Sequence, residues 1–247
     1  MLKKYFKQIF IMIFLIFSIV LTAEDNFMAV GNIKIVRPEP LLIKREDLNI
    51  TIEKDSTIKV ESMYTFSNLG EYNIKSTFMF WLDQTRENDN KDPNNSNKNN
   101  KGKYIKNIKF YSDYKKSQNL RAVIKFDENI YENQSAGNIQ REWFAISKTI
   151  PSKEEGKLGV YYDLQNTGFN RTKKFVYSFD LVSNFSEKNK VEILYINVYN
   201  KSGRKIDSIV YRDYEFKNLT GKKSDKEHYE LLVSNVNLDE KLVIKFK

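Results

Sequence analysis

Three groups of residues in this sequence have side chains that could do chemistry, and each would do a different kind. Asp127, Glu128 and Glu142, the last beside Trp143, offer carboxylates for glycoside hydrolysis, where one acid donates a proton and another attacks or activates water. An aromatic ring next to an acid is a common arrangement in sugar sites, although a Trp on a strand is more usually a core residue. His228 stands in Asp225-Lys226-Glu227-His228-Tyr229 and is the single histidine of a chain that has no cysteine. A nucleophile–base pair or a zinc site needs more than that one ring supplies, so His228 reads as a plain residue where a turn enters a strand. The run from Glu87 to Asp92 is rich in oxygens that could hold calcium. A calcium loop, however, wants a glycine at its bend, and here Pro93 follows Asp92. No glycine-rich phosphate loop is present. These residues predict no catalytic site, no metal site and no cofactor.

The elements that would have to position such groups are strands. From Leu48 to Asp83 the pattern has period two: Leu48, Ile50 and Ile52, then Ile58, Val60, Tyr64 and Phe66, then Ile74, Phe78, Phe80 and Leu82. Such alternation puts one set of side chains on each face of a sheet. Turns at Asp55-Ser56 and Asn68-Leu69-Gly70 predict three consecutive antiparallel strands here. Short strands are expected at Ile33 to Val36 and Leu41 to Lys44, and further ones at Tyr104 to Tyr114, Leu120 to Phe126, Arg141 to Ile150 and Lys157 to Leu164. Asp127 to Asn138 reads as a connection. The last strands expected are Lys174 to Val182, Lys190 to Tyr199, Lys205 to Tyr211, Tyr229 to Val236 and Lys241 to Phe246. No segment beyond the N-terminus has a convincing helical period. The expectation is an all-β, antiparallel sandwich of many short strands, as one body or as two packed sandwich-like parts. Residues 24–168 would form the sandwich, with a polar loop at 84–102. Residues 169–247 would form a C-terminal β region packed on it, joined near Asn166 to Asn170.

The N-terminus predicts export. Lys3, Lys4 and Lys7 precede an uncharged apolar run from Ile9 to Leu21, and Thr22-Ala23 precedes Glu24-Asp25. That is the pattern of a signal peptide, residues 1–23, cleaved after Ala23. The run is short for a membrane span, so no transmembrane segment is expected after cleavage. The mature chain would lie in the periplasm or outside the cell. Without cysteine it has no disulfides, so burial alone must stabilise it. The net charge is +9, and cleavage removes three lysines and no acid. The other lysines are scattered along strands, with pairs only at Lys115-Lys116, Lys173-Lys174 and Lys222-Lys223. This reads as a solvated β surface that resists edge-to-edge aggregation, rather than a patch for anionic polymers. Nucleic acid is not expected as a partner.

Several local patterns together resemble an exported bacterial family catalogued as a domain of unknown function, number forty-four twenty-four. Glu46-Asp47-Leu48-Asn49-Ile50 is similar to its Glu-Asp-Leu-x-Ile motif, and Val60, Tyr64, Phe66 and Asn68 to its next strand. Trp143, Pro151, Val160 and Tyr161-Tyr162 resemble a Trp strand that runs through a Pro turn into a Val/Tyr strand. Asn237-Leu238-Asp239-Glu240 before Leu242-Val243-Ile244 resembles the closing pair. The sequence departs from the family where Phe80-Trp81-Leu82-Asp83 lacks a proline, and where Tyr161 and Tyr162 stand in place of a histidine. The resemblance implies export and a β fold; its motifs are structural rather than catalytic.

Three functions fit these readings. The first is a non-enzymatic, exported interaction module that meets another envelope protein through a sheet edge or through aromatics among Tyr111 to Tyr114. The second is a glycan- or polymer-binding module, which would align aromatic ring faces on one exposed sheet. The third is a hydrolase with a carboxylate pair, which would bring two acids together in a cleft, one of them with a raised pKa.

Overall fold

In the computed structural model the described residues are 28–30, 32–35, 40–85, 105–113, 119–120, 124–130, 139–165, 173–179, 190–221, 226–238 and 240–247. The expected leader, most of the expected polar loop and the expected junction at Asn166 to Asn170 lie outside them. Sixteen strands are present among the described residues: β1 (Met28–Val30), β2 (Asn32–Ile35), β3 (Leu41–Ile52), β4 (Ile58–Asn68), β5 (Ile74–Thr85), β6 (Ile105–Tyr111), β7 (Asn119–Leu120), β8 (Ile124–Ile130), β9 (Ile139–Ile150), β10 (Glu155–Leu164), β11 (Lys174–Ser178), β12 (Lys190–Asn200), β13 (Ile206–Val210), β14 (Lys217–Asn218), β15 (Glu227–Asn237) and β16 (Lys241–Phe246). The fold is all-β.

One eight-stranded sheet runs β14-β15-β12-β3-β4-β10-β6-β7. Two four-stranded sheets, β1-β11-β16-β13 and β2-β5-β9-β8, make up the rest. The consecutive strands β1 and β2 belong to one each. The period-two reading of the large sheet holds: Leu48, Ile50, Ile52, Ile58, Val60 and Phe66 are all fully buried. They meet Phe78, Phe144, Phe175, Tyr177 and Ile244 from the smaller sheets in one apolar core. Burying each such side chain contributes about 1.5–3 kcal/mol.

The strand map differs from the expectation in five places. The expected three-strand unit is broken, because β4 pairs with β3 and β10 while β5 pairs with β2 and β9 in another sheet. Two pairings are parallel, β3 with β12 and β1 with β11, which alternation within one strand cannot reveal. Leu41 to Lys44 is no separate strand. It continues into β3 across a register shift between Ile43 and Arg45, so β3 runs for 12 residues. The expected strand at Leu120 to Phe126 splits into β7 and β8, and Asp127 to Ile130 is strand rather than connection. The polar stretch begins later than expected, since β5 holds Gln84 and Thr85.

The crossing from β4 to β5 has a clear physical cause. Asn68 is 1 % exposed at the end of β4. Its side-chain Nδ2 donates to the carbonyls of Tyr72 (2.9 Å), Ile150 (3.0 Å) and Pro151 (3.0 Å). Its Oδ1 accepts from the Gly70 N–H at 2.8 Å. The same residue's backbone N–H donates to Glu154. The second crossing, from β9 through Pro151 to β10, is therefore held against the first by one amide. Ser152 and Lys153 complete the clamp through the carbonyls of Gly70 and Leu69. Gly156 lies so close that an added Cβ would meet Ile150 Cγ1 at 2.6 Å. Replacing Asn68 with Ala would strand the buried Ile150 carbonyl and the part-buried ones of Tyr72 and Pro151, and urea unfolding should show a loss of about 2–4 kcal/mol.

Candidate functional site

The face of the eight-stranded sheet that points away from the core carries a different kind of residue. Pairing registers place Leu232, Tyr195, Asp47, Met63, Gly159 and Tyr111 in one row across five neighbouring pairings. The next row holds Glu230, Asn197, Asn49, Glu61, Tyr161 and Lys109. These positions alternate with the core residues of the same strands. In β12, Tyr195, Asn197 and Tyr199 interleave with the buried Leu194, Ile196 and Val198.

Side chains on this face hold one another in place. Asn197 is 4 % exposed and donates from Nδ2 to Asn49 Oδ1 at 3.1 Å. With the amide oriented so, its Oδ1 faces His228 Nε2 at 3.1 Å, and the ring nitrogen is the donor. The His228 ring stacks on Tyr199, with centroids 4.3 Å apart and planes 19° from parallel. Tyr195 donates its hydroxyl to Glu230 at 2.9 Å, an acceptor bond that raises the pKa of the phenol. Arg45 lies over the Tyr195 ring at 5.7 Å and donates through Nε to both Asp47 oxygens. At the other end Tyr161 donates to Asp163 Oδ1 at 2.6 Å, and Asn107 donates to Oδ2 at 2.7 Å. Burial first, and then this bond to Asp163, push the Tyr161 phenol well above its usual range. Met63 lies across β10 where Gly159 leaves room, since an added Cβ would overlap its sulfur.

Beside these rows is a groove of about 540 Å³, lined by Lys44, Arg45, Asp47, Thr65, Glu155, Lys157 and Ile193. The register shift before Arg45 shapes it, because a bulge re-aims side chains on the strand that carries it. Lys44 pairs with Glu155 at 2.5 Å, and this bond raises the lysine pKa. Both partners are well exposed, so the pair adds little to stability. The groove thus presents both signs of charge, already partnered.

Of the residues singled out for chemistry, only Asp127 and Glu142 are register neighbours. Asp127 on β8 sits directly opposite Glu142 on β9, and Glu128 opposite Arg141, in a four-stranded sheet separate from the eight-stranded one. Trp143 pairs with Phe126 on one side and Trp81 on the other. His228 is not a plain surface residue: its ring is half-buried between Tyr199 and Asn197. Tyr111, expected as an exposed aromatic, is 9 % exposed because it packs beside Gly159; Tyr72, at 57 %, is an exposed ring instead. Glu87 to Asp92 and Tyr114 lie outside the described residues. Among the described residues no three His, Cys, Asp or Glu side chains gather as they would around a metal ion. Among the same residues no helix is long and apolar enough to cross a membrane. Sequence reading passed over Tyr195, Asn197 and Tyr199, though their alternation with Ile196 and Val198 places all three on one face.

No protein-family model matches the chain, and no curated protein matches it in sequence. In fold it is similar to a candidate nutrient-binding protein from Legionella pneumophila, at TM-score 0.55 and 9 % identity, over 88 % of this chain and 70 % of that one. It is also similar to a candidate protease from Parabacteroides distasonis, at TM-score 0.44 and 6 % identity, over 84 % of this chain and 40 % of that one. An M1 zinc metallopeptidase from Deinococcus radiodurans aligns at TM-score 0.41 and 12 % identity, over 83 % of this chain and 42 % of that one. The chain thus spans well under half of either peptidase. At these identities only the Legionella likeness bears on the fold, and it bears on nothing else.

Asn197 joins the two halves of the network. Its replacement by Ala should cost about 1–2 kcal/mol in urea unfolding and free the His228 ring, seen as averaged ring-proton NMR shifts.

Proposed function

We propose that this is an exported, non-enzymatic β-sandwich interaction module, and that its partner binds on the outer face of the eight-stranded sheet. One observation carries the reading: the aromatic and amide side chains of that face are fixed by one another rather than by the core. Ordered polar surfaces of this kind lose little freedom on binding, which favours affinity. The groove beside them offers partnered charges of both signs, suited to a protein surface whose own charges alternate. The acids singled out for a hydrolase, Asp127, Glu128 and Glu142, lie on β8 and β9 of another sheet. In this reading the leader ends at Ala23 and the mature protein works in the periplasm or beyond, as in the family it resembles.

A glycan- or polymer-binding module is the second reading. It is favoured by Tyr111, Tyr161, Tyr195 and Tyr199 sharing one sheet face. It is disfavoured by ring faces that are already used, Tyr199 against His228 and Tyr195 under Arg45.

A photo-crosslinking residue at Leu232, which is 62 % exposed on the outer face, tests the proposal against one at Val210, 45 % exposed on β13. In the native envelope the first should give one discrete protein adduct and the second none. Arg45→Glu should weaken that adduct at least tenfold, about 1.4 kcal/mol. Equal adducts from both positions, or none from Leu232, would overturn the interaction reading. A thermal shift of the mature protein with an envelope glycan, lost in Tyr195→Ala, would establish the second reading.

A further inference from the structure

Glu46 is in phase with Leu48, Ile50 and Ile52, so β3 points it into the core, where it is 1 % exposed. Its flanking residues Arg45 and Asp47 point to the other face and pair with each other. Within the core, Ser62 Oγ donates to Glu46 Oε1 at 2.7 Å, and the Tyr64 hydroxyl also interacts with the carboxyl. Oε2 is buried with no hydrogen-bond partner among the described residues. Tyr162 on β10 and Tyr177 on β11 complete the surroundings, each feeling the carboxyl's charge. The groups that act on Glu46 are therefore Ser62 and Tyr64 from β4, Tyr162 from β10, Tyr177 from β11, and Asp47 on its own strand. None is a cation. Tyr177 belongs to a four-stranded sheet, so this cluster lies where that sheet meets the eight-stranded one.

We propose that Glu46 is a proton-operated latch between the layers: protonated, it closes β3 and β4 against β11, and on losing its proton it loosens that contact. An ionised carboxylate here would be a buried charge with one oxygen unpaired and no counter-ion, the costliest arrangement a core can hold. A protonated one is neutral, and its Oε2 hydroxyl can donate to a neighbouring tyrosine. Burial, the dominant cause, pushes the carboxyl up from 4.5 to about 7, with the hydrogen bonds from Ser62 and Tyr64 opposing it. The folded pKa lies above the unfolded one. The stabilisation is therefore complete below pH 4.5 and is lost as pH rises through about 7. The tyrosines are held above their ordinary range by burial, so they stay neutral throughout this window. Asp55 is held low by the Thr57 N–H and titrates below the window, with the opposite sign.

The test is chemical unfolding of the full mature protein between pH 5 and pH 8.5, wild type against Glu46→Gln. The wild-type folding constant should fall roughly a hundredfold relative to the variant over this range. The difference should fall steadily from pH 5 and level off near pH 7. Parallel profiles, or a difference centred near the ordinary carboxylate value, would overturn the latch. Should Glu46→Gln not fold, carbon-13 NMR of glutamate-labelled wild type decides. One carboxyl titrating near pH 7 is the expected result, and all of them titrating below about 5.5 would overturn the proposal. Amide exchange at Leu48 and Tyr177 should speed up on the alkaline side while that at the Asn68 corner does not; uniform acceleration would mean general destabilisation and no latch. None of these readouts depends on what the outer face binds.

Discussion

The fold depends on a single side-chain amide that satisfies two chain reversals at once. A two-layer β protein must carry its chain between layers, and each crossing strips backbone groups of their ladder partners. Here the β4–β5 and β9–β10 crossings are stacked at one end, and Asn68 supplies donors and an acceptor to both. With that corner fixed, β5 and β9 pair as long neighbours in one layer while β4 and β10 pair in the other. The inner rows of these four strands then face each other, and the aromatic contact of Phe66 with Phe78 at 4.7 Å follows. A glutamine at 68 would carry the same groups on a longer arm and could not fold back to its own Gly70 N–H.

How much of this was legible in the sequence depended on the range of the interaction. Alternation is a local property, so the inner rows of β3 and β4 could be read residue by residue and the all-β class followed. Sheet membership is not local. Nothing in Ile74 to Leu82 says that β5 leaves its hairpin neighbour, because the information sits in an asparagine and in carbonyls some eighty residues away. The parallel pairing of β3 with β12 was hidden for the same reason. The outer-face network was partly legible: Tyr195, Asn197 and Tyr199 alternate plainly with apolar residues, but their contacts with Asn49 and His228 come from three different strands. Glu46 was legible in phase and overlooked, since its neighbours Arg45 and Asp47 make the stretch read as a charged surface.

Two opposite solutions to polar burial lie back to back on β3. On the outer face Arg45 pairs with Asp47 and Lys44 with Glu155, and the part-exposed setting keeps each pair inexpensive. On the inner face one acid has only hydroxyls for company, and its protonation state becomes a structural variable. A strand that separates these two environments by the thickness of its own backbone places a titrating group directly beneath an ordered surface. On that surface Arg45 and Asp47 already neutralise each other.

The parallel ladder between β3 and β12 bears on the order in which the chain can assemble. Asn49 and its hydrogen-bonded partner Asn197 are 148 residues apart in sequence. While the nascent chain is shorter than that, β3 has β4 on one side and an open ladder on the other. The large sheet cannot close until β12 has been synthesised, and closure then spans most of the chain, which makes folding slow. Until then β3 is laddered on one side alone. It carries an unpaired strand edge throughout that time, an invitation to pair with another copy that a holding chaperone would suppress.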